Sequence, residues 1–116
     1  MTDERFEIRD VPAESRYVLI DRGDDGSQAR EIGEESYVDV GGDRVLHHTE
    51  VSEEYSGQGL ASTLVRAVVD DVIAAGKSIV PVCEYVAAWL PKHPEYRSHV
   101  VERRREHNAA IRARQG

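Results

Sequence analysis

An apolar stripe at helical spacing runs through the middle of the chain. Its members are Leu60, Leu64, Val65, Val68, Val69, Val72 and Ile73. Apolar residues three and four positions apart lie on one face of a helix, so the stripe predicts an amphipathic helix over residues 60–75. Two glycines, Gly57 and Gly59, stand just before it, although glycine is a poor helix former.

Five other stretches have the pattern of β-strands. Four of them precede the helix and read RFEIRDV, SRYVLIDR, REIGEESYVDV and RVLHHTEV, and SIVPVC follows it. Turn-forming residues at Pro12, at 23–28 and at Gly41 separate the first four. Because EYVAAWL predicts a second short helix, the expected order is ββββαβα, an α/β fold with a mixed sheet.

Alternation in the fourth predicted strand assigns its side chains to two faces. We expect Val45, His47, Thr49 and Val51 on one face, and Leu46, His48 and Glu50 on the other. In the fifth strand, Pro81 has no N–H group to donate, so strand pairing is expected to fail on one side there.

The composition limits the kind of protein this can be. The chain has 116 residues, enough for one small domain with a modest core, and its single cysteine excludes an internal disulfide. No apolar run reaches the length of a membrane span, and the acidic N-terminus lacks the apolar segment of a signal peptide. We therefore expect a cytoplasmic protein without a membrane partner.

Charge is distributed unevenly along the chain. The net charge is −7, but residues 103–116 contain five arginines and one glutamate, so the other 102 residues carry −11. Such an acidic body argues against nucleic acid as the main partner. The basic segment either contacts a polyanion or is a solvated helix or disordered end, which is the commoner role of such segments.

The two glycines before the predicted helix allow two interpretations. Helix N-termini expose unpaired N–H groups and the positive end of the helix dipole, and glycine lets a ligand approach the backbone closely. On this interpretation the segment is a cradle for a phosphate group. On the other, Ser56 and Gly57 form no more than a turn.

The segment EVSEEYSGQGLASTLV resembles the acyl-CoA-binding core of the GCN5-related N-acetyltransferase (GNAT) superfamily. The family motif is Arg/Gln-x-x-Gly-x-Gly/Ala. Gly59 and Ala61 match it, whereas Ser56 occupies the usual position of Arg or Gln. The stretches HTEV, GQGLAS, PVCEYVAAWL and HPEY are similar to a subgroup of short members. The likeness covers residues 5–101, so we expect a GNAT-like acyl-CoA-binding domain over residues 1–102 and a basic tail over 103–116.

The resemblance implies a fold and a binding mode. The sheet is expected to be largely antiparallel, with its fourth and fifth strands splayed apart to admit the pantetheine arm of acetyl-CoA. Main-chain groups of Val51 and Ser52 are expected to pair with that arm. The pyrophosphate is expected to face the N–H groups of six consecutive residues: Ser56, Gly57, Gln58, Gly59, Leu60 and Ala61.

The resemblance also implies an activity, the acetyl-CoA-dependent N-acetylation of an amine. The alternative is a non-catalytic acyl-CoA-binding module, because Pro91 falls near the position where many family members carry a catalytic tyrosine. Residues 12–16 leave almost no room for the helices that build the acceptor pocket of the family. The site for the amine is then open, or it is completed by a second subunit in a homodimer.

Four residues are the main candidates for the chemistry. Cys83 is expected near the thioester, where it either becomes an acyl-enzyme or is a small buried residue, as most unpaired cysteines are. Tyr85 and Cys83 are the nearest replacements for the missing acid, and Tyr96 is a more distant one. Glu50 and His48 are candidate general bases; alternatively, Glu50 is solvated and His48 makes a structural hydrogen bond. Adjacent strand histidines point to opposite faces, so we expect no metal site.

Overall fold

The sheet has five strands in the order in which they occur along the chain. The computed structural model describes residues 5–23 and 28–115. Its strands are β1 (Phe6–Val11), β2 (Arg16–Asp21), β3 (Arg30–Val40), β4 (Asp43–Val51) and β5 (Ser78–Pro81). The first four pair antiparallel, and β5 runs parallel to β4. The predicted α/β class with a mixed, largely antiparallel sheet is confirmed. The expected turn at 23–28 lies largely outside the described residues.

Three α-helices accompany the sheet. They are α1 (Leu60–Ala74), α2 (Glu84–Trp89) and α3 (Arg105–Gln115), and short 3-10 turns occur at Pro12–Glu14, Glu53–Tyr55, Leu90–Lys92 and Pro94–His99. The first two helices confirm the predicted order ββββαβα, which α3 extends at its C-terminal end. In the part of the chain that the structure describes, no helix combines the length and the hydropathy that a membrane span needs.

The main core lies between the sheet and the helices α1 and α2. α1 buries six of the seven residues of the apolar stripe, and Ile73 is partly buried at the edge of the core. The sheet contributes Tyr17, Leu19, Tyr37, Leu46 and Ile79 among others, and α2 contributes Val86 and Trp89. We call this side of the sheet the α1 face.

A bulge in β4 changes which side chains share a face. The ladder between β3 and β4 skips His47, which has no pairing position between Leu46 and His48. Leu46 therefore lies on the α1 face together with Thr49, and Val45 lies on the opposite face. The expected assignment of Leu46 and Val45 to the two faces is wrong, because strict alternation along a strand does not allow for an inserted residue.

β4 and β5 separate after a short paired segment. Pairing ends where Leu46 meets Pro81. The N–H groups of Val82 and Cys83 then both donate to the Leu46 carbonyl, at 3.0 and 2.9 Å, so the chain leaves the ladder at that point. Residues 47–51 of β4 keep an edge that β5 does not cover, which confirms the expected splay.

The C-terminal helix is docked on the protein. The arginines of α3 are exposed, but His107 is fully buried. His107 Nδ1 accepts a hydrogen bond from the backbone N–H of Arg104 at 2.8 Å, so Nε2 is the donor to Asp43 Oδ2 at 2.9 Å. Arg104 also donates to that carboxylate oxygen, at 2.9 Å. The expected solvated helix is thus present with its arginines exposed, but the buried His107 docks it on the protein instead of leaving its end free.

Replacing His107 by alanine is expected to lower the free energy of unfolding by about 2 kcal/mol, since two hydrogen bonds of about 1 kcal/mol each are lost. Urea denaturation measures this value. Arg112→Ala is the matched control on the same helix, because Arg112 is exposed and its loss should change stability by less than about 0.5 kcal/mol. Equal effects of the two substitutions would show that His107 does not hold α3.

Candidate functional site

The loop between β4 and α1 contains two glycines in the left-handed backbone region. Gly57 has a φ of 83°, and Gly59, the N-cap of α1, has a φ of 72°. Residues with a Cβ rarely adopt such angles, and β-branched residues are strained there. No protein atom lies within 4 Å of the Cβ that a substitution would add at either position. The glycines therefore serve the conformation of the loop and leave its outer side open.

The backbone of this loop presents unpaired donors. Among the described residues, no protein group accepts a hydrogen bond from the N–H groups of residues 57–62. The next N–H group, that of Thr63, donates to the Gly59 carbonyl at 3.1 Å and starts the regular helix. A row of N–H groups at the positive end of a helix dipole suits a phosphate, which favours the interpretation as a cradle.

Two contacts hold the loop in place. On one side, Tyr55 is buried in the core and its hydroxyl donates to Asp21 at the end of β2. The Arg5 guanidinium, together with the Tyr55 hydroxyl, holds the pKa of that carboxyl well below its usual range. On the other side, Trp89 Nε1 donates to Ser62 Oγ in the first turn of α1, at 2.8 Å. The protein itself thus fixes the shape of the loop before any ligand binds.

A cavity of about 420 Å³ lies between this loop and the open edge of β4. Its lining includes all but one of the residues expected to bind the acyl donor: Val51, Ser52, Ser56, Gly57, Gly59, Leu60 and Ala61. The exception, Gln58, lines a neighbouring cavity of about 910 Å³, which shares Gly59 and Leu60 with the first. Thr49 and Tyr85 also line the smaller cavity. We call the smaller one the loop cavity.

Cys83 belongs to a hydrogen-bonded chain of three side chains. Its Sγ lies 3.1 Å from Thr49 Oγ1, and Thr49 donates its hydroxyl proton to Glu35 Oε1. With the Thr49 proton directed at the carboxyl group, the thiol is the donor to Thr49 Oγ1. Cys83 is half-buried at the N-cap of α2 and packs against the core. Its sulfur is thus one hydrogen bond away from a residue that lines the loop cavity.

Glu35 is a functional candidate that the sequence did not reveal. The side chain is fully buried, and burial raises its pKa to about 8, although the hydrogen bond from Thr49 acts in the other direction. Its second oxygen, Oε2, has no partner in the described part of the chain. Strand alternation could have indicated its burial, because Glu35 shares the α1 face with Gly33 and Tyr37, two positions before and after it. The partner could not be read from the sequence, since Thr49 comes from another strand.

Stability is expected to fall as the pH rises from about 5 to 8, in a way that depends on Glu35. Between its unfolded pKa of 4.5 and its folded pKa of about 8, the folded state holds a proton that the unfolded state has released. Rising pH therefore disfavours folding, by a contribution that approaches about 1.4 kcal/mol per pH unit. Glu35→Gln removes this contribution. Urea denaturation of both proteins across this range measures it, and parallel pH profiles would contradict a protonated Glu35.

His48 and Glu50 lie on the face of the sheet opposite to the α1 face. They flank Thr49 in β4, so their side chains point the other way, and both are exposed. His48 Nε2 lies 3.2 Å from Glu50 Oε1 and 3.8 Å from Glu34 Oε2. One donor atom from each of these three residues lies within 4.8 Å of the others, but exposed acidic groups commonly gather without an ion, and we assign them no metal. The structure thus does not bring these two candidates onto one face with Cys83.

Only one of the two tyrosines considered as acids lines the loop cavity. Tyr85 is 40% exposed and lies on the cavity wall together with Thr49. Tyr96 is buried, and its hydroxyl donates to Asp70 at 2.7 Å and accepts from Arg66 at 3.2 Å. Tyr96 is therefore engaged with α1, and Tyr85 is the tyrosine available to a ligand in the cavity.

Comparisons with known proteins identify a family and two similar structures. A profile of the GCN5-related N-acetyl-transferase family matches residues 16–100. The NMR structure of a GCN5-like protein from Staphylococcus aureus matches with a TM-score of 0.62 and 24% identity, over 90% of this chain and 97% of that one. A crystal structure of an alanine N-acetyltransferase of a ribosomal protein from Escherichia coli gives a TM-score of 0.47 and 18% identity, over 67% of this chain and 42% of that one. No functionally curated protein matches the sequence.

Proposed function

Because the chain belongs to the GCN5-related N-acetyltransferase family, we propose that it transfers an acetyl group from acetyl-CoA to an amine, with Cys83 carrying the group between the two. Acyl transfer is the general activity of this family. The observation that carries the proposal is the position of Cys83 Sγ, 3.1 Å from a Thr49 hydroxyl that lines the loop cavity.

We propose the loop cavity as the site of acetyl-CoA, and the groups around it support this proposal. The unpaired N–H groups of residues 57–62 suit the pyrophosphate, since they combine free donors with the helix dipole. The open edge of β4 offers main-chain groups of Val51 and Ser52 to the pantetheine arm, as an added strand would use them. This arrangement leaves the thioester at the end of the cavity that Thr49 and Tyr85 line.

The proposed reaction has two transfers of the acetyl group. In the first, Cys83 Sγ attacks the thioester carbonyl, the bond from that carbonyl to the CoA sulfur breaks, and CoA leaves as a thiol after taking a proton. In the second, the amine attacks the acetyl-Cys83 carbonyl and loses a proton, and Cys83 leaves as the thiol. Both the donor and the intermediate are thioesters, so the first transfer is close to balanced in energy.

Protons at the two ends of the reaction are assigned to different residues. Tyr85 lines the cavity at the thioester end, and we assign to it the proton for the departing CoA thiolate. His48 and Glu50 form a hydrogen-bonded pair on the opposite face, next to the gap between β4 and β5. We assign to this pair the deprotonation of an amine that arrives through the gap from that face.

The acceptor is proposed to be an amine on a large or extended molecule. Between β1 and β2 the chain forms only the single turn Pro12–Glu14, so no helix of this segment covers the site. A small amine would find little to enclose it unless a second copy of the chain completed the pocket. A peptide or polyamine can instead make contacts across an open surface.

Release of CoA from acetyl-CoA in the presence of amines tests the activity. The panel contains a polyamine, a peptide with a free N-terminus and a peptide with an internal lysine. We expect amine-dependent CoA release with one class of acceptor and formation of the matching amide, identified by mass spectrometry. Tight binding of CoA without release by any amine would identify the chain as an acyl-CoA-binding module instead.

A further inference from the structure

Two residues of the hydrogen-bonded chain, Glu35 and Thr49, have no part in the reaction as described above. A buried carboxyl group without a cation beside it is unfavourable unless it keeps its proton, and such groups concentrate at functional sites. Glu35 is buried, carries an unpartnered oxygen and connects through one hydroxyl group to the only cysteine of the chain.

We propose that Glu35 is the proton acceptor for Cys83 and acts through the Thr49 hydroxyl. The S–H bond of Cys83 breaks and its proton moves to Thr49 Oγ1, while the hydroxyl proton of Thr49 moves to an ionised Glu35 Oε1. The products are a thiolate, an intact hydroxyl group and a neutral carboxyl group, so protons and charge balance. Glu35 is a positioning residue, because it acts through Cys83 and does not line the cavity of the acyl donor. Thr49, which lines the loop cavity, passes the proton between them.

The backbone holds this chain of groups in register. Glu35 and Thr49 occupy directly paired positions of β3 and β4, so they face each other on the α1 face. Threonine is β-branched and has few rotamers, which favours a hydroxyl group held between its two neighbours. Cys83 is brought to the other side of that hydroxyl group by the bonds of the Val82 and Cys83 N–H groups to the Leu46 carbonyl.

The acid strength of Glu35 suits a thiol. Burial raises the pKa of Glu35 to about 8, so its carboxylate, once formed at mildly alkaline pH, is a much stronger base than that of a solvated glutamate. A base of this strength can accept a proton from a thiol at little energetic cost, whereas an ordinary glutamate is too weak. The same burial that makes Glu35 unfavourable as a structural residue makes it useful as a base.

Among the residues that the structure describes, the charged groups around Glu35 do not supply an alternative partner. From its own strand, Glu34 acts on it by repulsion, and from β4 it receives the Thr49 hydroxyl and a backbone hydrogen bond of His48. Across β2, the paired residue Tyr17 directs its hydroxyl group to Asp71 and accepts from Arg44. The residues that α1 buries are all apolar. The route from Glu35 to an exchangeable proton therefore runs through Thr49.

Alkylation of Cys83 by iodoacetamide as a function of pH tests the relay without any acyl donor. Since the chain has one cysteine, the reaction reports that sulfur alone. The parent should show two titration steps, because two coupled groups lose their protons in sequence. Glu35→Gln should show one step. Thr49→Val should also show one step and react about tenfold more slowly at pH 8, the effect of one hydrogen bond to a charged group.

Thr49→Ser is the matched control, since it keeps the hydroxyl group and should restore the two steps. A single step in the parent, or a Thr49→Val profile equal to that of the parent, overturns the relay. The use of the relay in acetyl transfer rests on the proposed function, but the two fail separately. A two-step alkylation profile without an acetyl adduct on the protein would support the relay and contradict the acetyl transfer. An acetyl adduct together with a one-step profile would support the transfer and contradict the relay.

Discussion

Gly59→Val is expected to abolish the binding of CoA, with a loss of affinity of at least about 100-fold. Valine strongly disfavours a φ near 72°, so the loop has to leave the conformation that directs its N–H groups outward. No atom lies within 4 Å of the added Cβ, so the core is not disturbed. Isothermal titration calorimetry with CoA measures the affinity, and circular dichroism verifies that the variant is folded.

Gly76→Val provides the matched control for this substitution. Gly76 follows α1 at its other end, has a φ of 75° and also has open space around it. The two substitutions impose the same backbone strain, but only Gly59 belongs to the loop cavity. We expect the Gly76 variant to bind CoA as the parent does. Loss of binding in both variants would assign the effect to general destabilisation, and retained binding in Gly59→Val would place CoA elsewhere.

Cys83→Ala is expected to reduce acetyl transfer by at least about 100-fold while leaving the affinity for CoA within a factor of about three. The substitution removes the proposed acyl carrier but no group of the loop that holds the pyrophosphate. Cys83 is half-buried, and the one side-chain hydrogen bond that it makes within the described residues is to Thr49, so the fold should tolerate alanine. Steady-state CoA release with the active amine measures the transfer.

Saturating CoA supplies an independent check on the position of Cys83. If the pantetheine arm ends at Thr49 and Tyr85, bound CoA should slow the alkylation of Cys83. Alkylation at an unchanged rate would remove Cys83 from the acyl end of the cavity. Slowed alkylation combined with full activity of Cys83→Ala would keep the position and replace the covalent route by direct transfer to the amine.

Much of the fold follows from periodic patterns that the sequence displays. The stripe from Leu60 to Ile73 has one period over four turns, and the structure ends that helix within one residue of the expected end. The segment REIGEESYVDV predicts that a third strand lies within it, and the structure forms that strand over the whole segment, Arg30–Val40. The family is confirmed by a profile that matches residues 16–100. The sequence indicated it beforehand because the motif around Gly57 and Gly59 has a fixed spacing.

Other features could not be predicted because they depend on contacts between distant residues. The bulge at His47 depends on how two strands pair, and the sequence RVLHHTEV alone does not predict it. The docking of α3 depends on His107 meeting Asp43, which lies 64 residues earlier. The composition of residues 103–116 predicts their positive charge but not that α3 docks on the protein.

In the candidate site, too, features that depend on neighbouring residues were predictable, and features that depend on distant residues were not. Loop residues adjacent in sequence were predicted as a group, and all of them except Gln58 line one cavity together. The link from Cys83 to Glu35 joins three separate elements and appeared only in the structure. His48 and Glu50 are candidates because of their chemistry, and strand alternation correctly predicts that they share a face. It could not predict that Cys83 lies on the other face, because that position depends on the bulge in β4 and on the separation of β4 and β5.

The mass of the intact protein after incubation with acetyl-CoA, in the absence of any amine, tests the central claim most directly. We predict that the parent gains the mass of one acetyl group per chain, that hydroxylamine removes it, and that Cys83→Ala gains none. Peptide mapping should locate the group on Cys83. A parent protein that binds acetyl-CoA but keeps its original mass, or an adduct of equal yield in Cys83→Ala, would contradict the account.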